Sequence, residues 1–229
     1  MRAADPADPG RSQGSGSSSL DGAQDGPPAW LRDLAAKARE AAVPLLLRPP
    51  PGGGRPSAVL VLFGMGADGP DLLLVQRGPG LRRHSGQPAF PGGAIDESDA
   101  GPVPAALREA AEEVGIDPGG VDIVGTMPEL FIPPTGFRVV PVIAWWRRPV
   151  AVSPVDPGEV AGVERVSVSE LANPAARLMM HGPGEIMTPA FRVAGMLIWG
   201  FTGVLIDRLI VLAGWERPWD TSNVTDATG

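Results

Sequence analysis

Between positions 92 and 116 the chain reads GGAIDESDAGPVPAALREAAEEVGI, and this segment limits the fold more than any other. Wound as a helix at about 100° per residue, it places Leu107, Ala110, Ala111 and Val114 on one apolar stripe. Glu109, Glu112 and Glu113 gather on the opposite side, within an arc of about 100° by the same geometry. Pro104 suits a first helical turn and Gly115 a C-terminal cap, so the pattern predicts a helix over 104–114. Such a helix must bury one face and present three carboxylates on the other.

A solvated acidic face is the plain reading of those carboxylates. A solubilising face, however, usually carries Lys or Arg one turn after each Glu. Here the residues four positions after Glu109, Glu112 and Glu113 are Glu113, Ile116 and Asp117. Arg108 with Glu112 is the one opposite-charge pair, in the weaker order. A like-charge pair at this spacing costs about 0.2–0.5 kcal/mol in an isolated helix. A hard divalent cation would offset that repulsion, and Mg²⁺ and Mn²⁺ favour carboxylate, carbonyl and water oxygens. Glu109 and Glu113 are one turn apart and can reach one group of ions. Gly92-Gly93 has no side chain to keep a backbone carbonyl from them, although an ordinary tight turn would explain the two glycines equally well.

The rest of the chain reads as a mixed series. Residues 1–28 are rich in Gly, Ser, Pro, Ala and Asp, cannot bury enough apolar surface to offset ordering entropy, and are expected to be a disordered tail. Residues 29–42 have helical spacing, with Pro44 ending the run. Residues 57–63 and 72–76 are apolar runs expected as adjacent strands, joined by a longish Gly-rich loop. Strands are predicted over 121–127 and 137–146, another within 160–168, and a short helix over 169–172. Residues 199–212 read as a closing helix, and 216–229 as a frayed tail. This order lacks regular βα alternation, so an α+β, layered helix–sheet–helix domain over 29–215 fits better than a doubly wound sheet. The apolar stretch 193–215 is broken by Asp207, Arg208 and four glycines, and reads as buried structure rather than a membrane span.

Charge and cysteine content narrow the function classes. The formal net charge is −7, which gives no broad electrostatic footprint for nucleic acid or anionic membrane. With no cysteine, disulfides, thiolate metal sites and a cysteine nucleophile are excluded. Tryptophans 145, 146 and 199 are read as core residues.

Taken together, the paired glycines, an acidic residue and then Arg108-Glu109-Ala110-Ala111-Glu112-Glu113-Val114-Gly115-Ile116 resemble the box of the Nudix hydrolases. The second half matches residue by residue. In the first half an Asp, Asp99, replaces the usual Glu, and eight residues separate it from Arg108, one more than in the common form. Asp99, Glu97 and Asp96 are therefore all candidate partners of Arg108. Residues 81–93, LRRHSGQPAFPGG, resemble the extra motif upstream of the box in the coenzyme A pyrophosphatase branch, which also tends to carry the longer, Asp-containing box. Leu72-Leu73-Leu74-Val75-Gln76-Arg77 is similar to that branch's strand ending in a basic residue.

The resemblance implies an α/β/α sandwich with a mixed sheet, whose box forms a loop–helix–loop. It implies Mg²⁺- or Mn²⁺-dependent hydrolysis of CoA or acyl-CoA to 3′,5′-ADP and (acyl-)4′-phosphopantetheine. Glu109 and Glu113 are the expected metal ligands, with a backbone carbonyl near Gly93 and with Glu112 as a ligand or the general base. Arg108 is expected to orient the acidic loop residue, and Glu159 is a weaker candidate for a loop carboxylate at the metals. Arg82, Arg83, His84 and Gln87 are the expected substrate-binding residues. The partner is a small CoA-like nucleotide, with neither nucleic acid nor membrane. A homodimer and a cytoplasmic location complete the expectation. Its rivals are a Nudix enzyme for another nucleoside diphosphate derivative and a non-catalytic Nudix-fold binding protein.

Overall fold

The computed structural model describes residues 26–79, 86–182 and 186–226. The apolar runs in the centre of the chain become strands: β1 (Arg55–Gly66), β2 (Gly69–Arg77), β3 (Pro88–Ala89), β4 (Gly92–Ala94), β5 (Val121–Thr126), β6 (Leu130–Ile132), β7 (Phe137–Trp146) and β8 (Val160–Ser167). Among the described residues they build one mixed sheet. Its path runs β3-β2-β1-β7-β5, with β4 paired to β1, β6 to β7 and β8 to β2. β1 and β7 are parallel, with Val59 opposite Pro141, and the other pairings are antiparallel.

Side-chain alternation divides the core into two layers. Leu60, Leu62, Leu73, Val75, Val142, Ala144 and Trp146 pack on one face with Ala105, Ala106, Ala110 and Val114. Those four belong to helix α2 (Pro102–Val114), which covers this face. Val61, Phe63, Leu72, Leu74, Ile143 and Trp145 point the other way. There they meet Leu31, Leu34 and Leu205, from α1 (Ala29–Arg39) and the C-terminal helix. After a short α3 (Val168–Leu171), that C-terminal helix is α4 (Gly200–Ala213). A strand buried on both faces needs apolar residues at consecutive positions. That explains runs such as Leu72-Leu73-Leu74-Val75, and each fully buried Leu contributes roughly 1.5–3 kcal/mol. The α/β/α layering and mixed sheet are those expected. No helix among the described residues is long and apolar enough to cross a membrane.

Several boundaries differ from the sequence reading. Helix α1 stops at Arg39, short of the expected 42, because Pro44 has no N–H to bond the Glu40 carbonyl. Helix α2 begins at Pro102, two residues early. A first turn tolerates both prolines because its N–H groups have no helical acceptor. The expected loop around 64–70 is instead the end of β1, a two-residue turn and the start of β2, with Gly66 opposite Gly69.

A second sheet lies beyond the predicted elements. It is formed by β9 (Arg177–His181), β10 (Met187–Val193), β11 (Met196–Ile198) and β12 (Val224–Asp226), in the order β11-β10-β9-β12. Residues 216–229, expected to fray, are described as far as 226 and are tied down there. Val224 to Asp226 run parallel to Met179 to His181. The cause is Arg177, whose side chain is only 1% exposed. Its guanidinium is ion-paired with Asp207 on α4 and lies 3.8 Å from the Glu216 carboxylate. The Trp219 ring covers it at 4.4 Å, with Phe191 at 5.5 Å. Contacts between residues this far apart leave no periodic trace in the sequence.

Removing one member of a buried charge pair strands the other. Arg177→Ala should therefore destabilise the protein by about 3–5 kcal/mol, read as a lower urea midpoint. Trp219→Ala should cost less. A midpoint for Arg177→Ala indistinguishable from wild type would show that the clamp does not hold the C-terminal segment.

Candidate metal site

Helix α2 presents the acidic face. Ala105, Ala106, Ala110 and Val114 are buried on the sheet, Leu107 and Ala111 of the expected stripe are only partly buried, Glu112 is exposed, and Glu109 and Glu113 are partly covered. Gly115, at φ +73°, caps the helix with its N–H on the Ala111 carbonyl. The segment before α2 folds back as β4 against β1, with Gly93 opposite Ala58, and thereby brings Gly92 and Gly93 beside the glutamates.

Close approach of backbone requires Gly92, while Gly93 lies against the end of the Glu109 side chain. A Cβ on Gly93 would lie 2.5 Å from the Glu109 carboxyl group. A Cβ on Gly92, which sits at φ +152°, would collide with the Ala58 carbonyl and the backbone of Val59. The Gly92 N–H donates to Glu113 Oε2 at 3.0 Å. The double glycine is thus the surface on which two carboxylates rest.

Arg108 organises the remaining acids. Its Nε and Nη2 donate to the two oxygens of Asp99 at 3.1 and 2.9 Å, and Nη2 also donates to the Ala94 carbonyl at 3.1 Å. Nη1 donates to Glu109 Oε1 and Glu112 Oε2, both at 3.0 Å. Asp96 stands farther off at 3.5 Å. Of the three candidate partners, Asp99 is the bidentate one. The Arg108 hydrogen bonds, with the Asp96 N–H, hold the Asp99 carboxyl below its ordinary value.

Burial pushes the Glu113 carboxyl up to about 7, a rise that the Gly92 N–H opposes and the nearby Glu109 charge reinforces. Arg77 lowers it and Glu159 raises it, so both charges stand in range of Glu113. Burial also raises Glu109, against the pull of Arg108.

Among the described residues, no three acidic or His side chains converge tightly enough to hold an ion by themselves. The donor set nonetheless fits a hard divalent cation. It offers carboxylates beside exposed backbone, and such ions keep waters and substrate phosphates in their shell. A partly desolvated carboxylate without a paired cation, Glu113, is the residue that would gain most from one.

The structure therefore brings Gly93, Arg108, Glu109, Glu112 and Glu113 together, with Glu159 at the edge. Gln87 lies beside β2, its carbonyl accepting the Arg77 N–H at 3.1 Å. Arg82, Arg83 and His84 lie outside the described residues. Sequence reasoning gave Arg77 no role at this site, although a basic residue closing an apolar strand was a usable signal.

The sequence model of the family described as NUDIX domain matches residues 54–187. A relative in Klebsiella aerogenes called uncharacterized Nudix hydrolase NudL is 51% identical over 102 residues, covering 43% of this chain and 83% of its own. The protein of the same name in Citrobacter koseri is 40% identical over 152 residues, covering 63% of this chain and 76% of its own. The crystal structure of RenU, a Nudix hydrolase from M. smegmatis, aligns with a TM-score of 0.50 at 21% identity. That alignment covers 72% of this chain and 89% of RenU, and the likeness is one of fold.

Two predictions follow from this geometry. Asp99→Ala should weaken Mn²⁺ affinity roughly 10- to 100-fold, as losing an outer support of a metal site does. Asp96→Ala and Glu97→Ala should change it little, and equal losses for all three in titrations followed by electron paramagnetic resonance would refute the Asp99 assignment. The second concerns pH. The folded chain holds the Glu113 proton up to about pH 7, well above the ordinary range of a glutamate carboxyl. Folded protein therefore binds more protons than unfolded across that window, and this group's contribution to stability falls as pH rises through it. In metal-free protein, Glu113→Gln should raise the melting temperature at pH 8 and leave it nearly unchanged at pH 4.5. A stabilisation independent of pH would rule this out.

Proposed function

This chain belongs to the Nudix hydrolase family, and from that membership we propose that it hydrolyses the pyrophosphate bond of coenzyme A or an acyl-CoA. The products are 3′,5′-ADP and (acyl-)4′-phosphopantetheine. The hydrolase reading is carried by one observation, the seating of Glu109 and Glu113 against the backbone of Gly93 and Gly92. The preference for CoA is supported by residues 81–93 and by the longer, Asp-containing box. It comes from resemblance, as do the homodimer and the cytoplasmic location.

Nudix hydrolases generally use divalent metal ions. Glu109 and Glu113 would hold Mg²⁺ or Mn²⁺, with a backbone carbonyl near Gly93. The ion, when bound, supplies positive charge to the phosphate oxygens and makes a water more acidic. The protein's residues do the rest. Arg108, clasped by Asp99, fixes the spacing of Glu109 and Glu112. Glu112 is either a further ligand or the base that takes the proton from the attacking water. Its exposure leaves it free to exchange that proton with solvent. Glu159 adds a carboxylate from the loop before β8 and is a second candidate for the same work. Water oxygen forms a new bond to phosphorus, the bridging P–O bond breaks, and the leaving phosphate retains the bridging oxygen.

The test is incubation of CoA with the protein and Mg²⁺ or Mn²⁺ in ¹⁸O-water, with products read by mass spectrometry. One ¹⁸O should appear in 3′,5′-ADP or in 4′-phosphopantetheine, and its place identifies the phosphorus attacked. Glu113→Gln should lower turnover by about 10²-fold or more, the loss typical of removing a charge-stabilising group. CoA recovered intact, beside cleavage of a dinucleotide or nucleotide sugar, would move the substrate to another nucleoside diphosphate derivative. No cleavage of any of them would leave a binding role.

A further inference from the structure

The apolar layer opposite α2 contains a cavity of about 190 Å³. Three elements wall it: the linker after α1, the turn between β5 and β6, and α4. Its apolar lining comes from Val43, Leu47, Met127, Leu130, Val204 and Leu205. Helix α2 covers the other face of the sheet, so this cavity is separate from the carboxylate cluster. A cavity of about 150 Å³ lined by aliphatic and aromatic side chains stays dry and holds a benzene ring. By that measure the space here suits about six carbon atoms of an apolar ligand.

The charges at its edge are unequal. Two charged residues join the lining, Asp207 and Arg208. Asp207 is committed to Arg177, with which it is ion-paired. Arg208 has no ion pair among the described residues, and its Nη2 lies 3.5 Å from the Ala42 carbonyl, at the limit of a hydrogen bond. Arg48 also has no ion pair among the described residues, and its Nε donates to the carbonyl of the lining residue Val43 at 3.2 Å. Glu129, next to the lining residue Pro128, is taken by Arg138 at 3.2 Å. Glu40, at the end of α1, pairs with neither Arg208 nor Arg48 among the described residues. Two uncommitted guanidinium groups therefore flank an apolar cavity on a chain of net charge −7.

We infer that this cavity binds a medium-chain fatty carboxylate, with its tail among the apolar side chains and its head on Arg208, close to Arg48. The apolar walls reject a polar ligand, because a buried polar group without a partner is costly. The guanidinium fork at the edge selects an anion, and its geometry matches the two oxygens of a carboxylate. One ligand that satisfies both is a short hydrocarbon chain ending in a carboxylate. The inference is independent of the reading of the metal site, which lies across the sheet.

The experiment is a nuclear magnetic resonance titration of the full ¹⁵N-labelled chain with butanoate, hexanoate, octanoate and decanoate. The amides of Val43, Leu47, Met127 and Val204 should shift, and those of Gly92 and Gly93 should not. Kd should fall roughly 10-fold for each two carbons added, as methylene burial predicts, and level off once the tail fills the cavity. Arg208→Gln should raise the octanoate Kd roughly 5- to 10-fold and leave that of octanol within about 2-fold. Val204→Phe should fill the cavity and abolish binding. Should that variant fail to fold, Arg208→Gln and the chain-length series still decide the matter. Octanoate binding that ignores Arg208→Gln, a Kd that does not change with chain length, or no shift at the lining amides would overturn the inference. A dimer that disperses in Leu45→Ser, with no octanoate bound by wild type, would overturn it too. The cavity would then belong to a second copy of the chain, whose Leu45 is 78% exposed.

Discussion

The acidic face of α2 depends on one guanidinium. Three carboxylates on one helical turn repel each other, and a fourth, Asp99, comes from the loop before it. Arg108 sits among them and donates to Asp99 twice, to Glu109 and to Glu112. Its bond to the Ala94 carbonyl also reaches the end of β4. Without it, Asp99 would lose its side-chain tie to the helix, and Glu109 and Glu112 would lose their shared donor. An Arg suits this work because its fork donates in several directions within a plane, whereas Lys would supply a point charge.

Glu113 is the exception to that network. Arg108 does not reach it, and its hydrogen bond comes from a backbone N–H of Gly92. Burial makes its ionisation expensive, and Arg77 relieves the cost only in part. The fold thus keeps one carboxylate in a condition that a positive ion would relieve. Stability given up in ionising this carboxylate becomes affinity when a cation arrives, by ordinary linkage. The paired glycines make this possible because they let Glu109 and Glu113 lie on the chain itself.

Much of this was legible before any coordinates. The helix α2 and its acidic face follow from local periodicity and the layered α+β architecture from the order of elements, whereas for the two glycines an ordinary tight turn stood as the alternative to a close approach. The unbroken run Leu72-Leu73-Leu74-Val75 also pointed to a strand. Other features depend on partners far away in sequence. Asp99 could not be chosen over Asp96 and Glu97 because all three lie within reach of Arg108, and only the loop's path decides. The second sheet was missed because β9, β11 and β12 are short. Its anchor, Arg177, finds Asp207 on α4 and Trp219 near the C-terminus. The same limit applied to residues 64–70, where glycines suggested a loop. They are instead the end of β1, a two-residue turn and the start of β2, with Gly64 and Gly66 leaving room for the Asp71 carboxylate.

The charge arrangement also explains why the second cation comes from a strand. A further Arg on α2 would meet the glutamates at i+3 or i+4 and be drawn into their network, as Arg108 is. Arg77 stands at the end of β2, its N–H on the Gln87 carbonyl and its own carbonyl accepting from Gly86. Its positive charge therefore lies near Glu113 without being neutralised by it. An overall charge of −7 thus coexists with a divided local field, in which one cation is committed to the framework and another acts on Glu113.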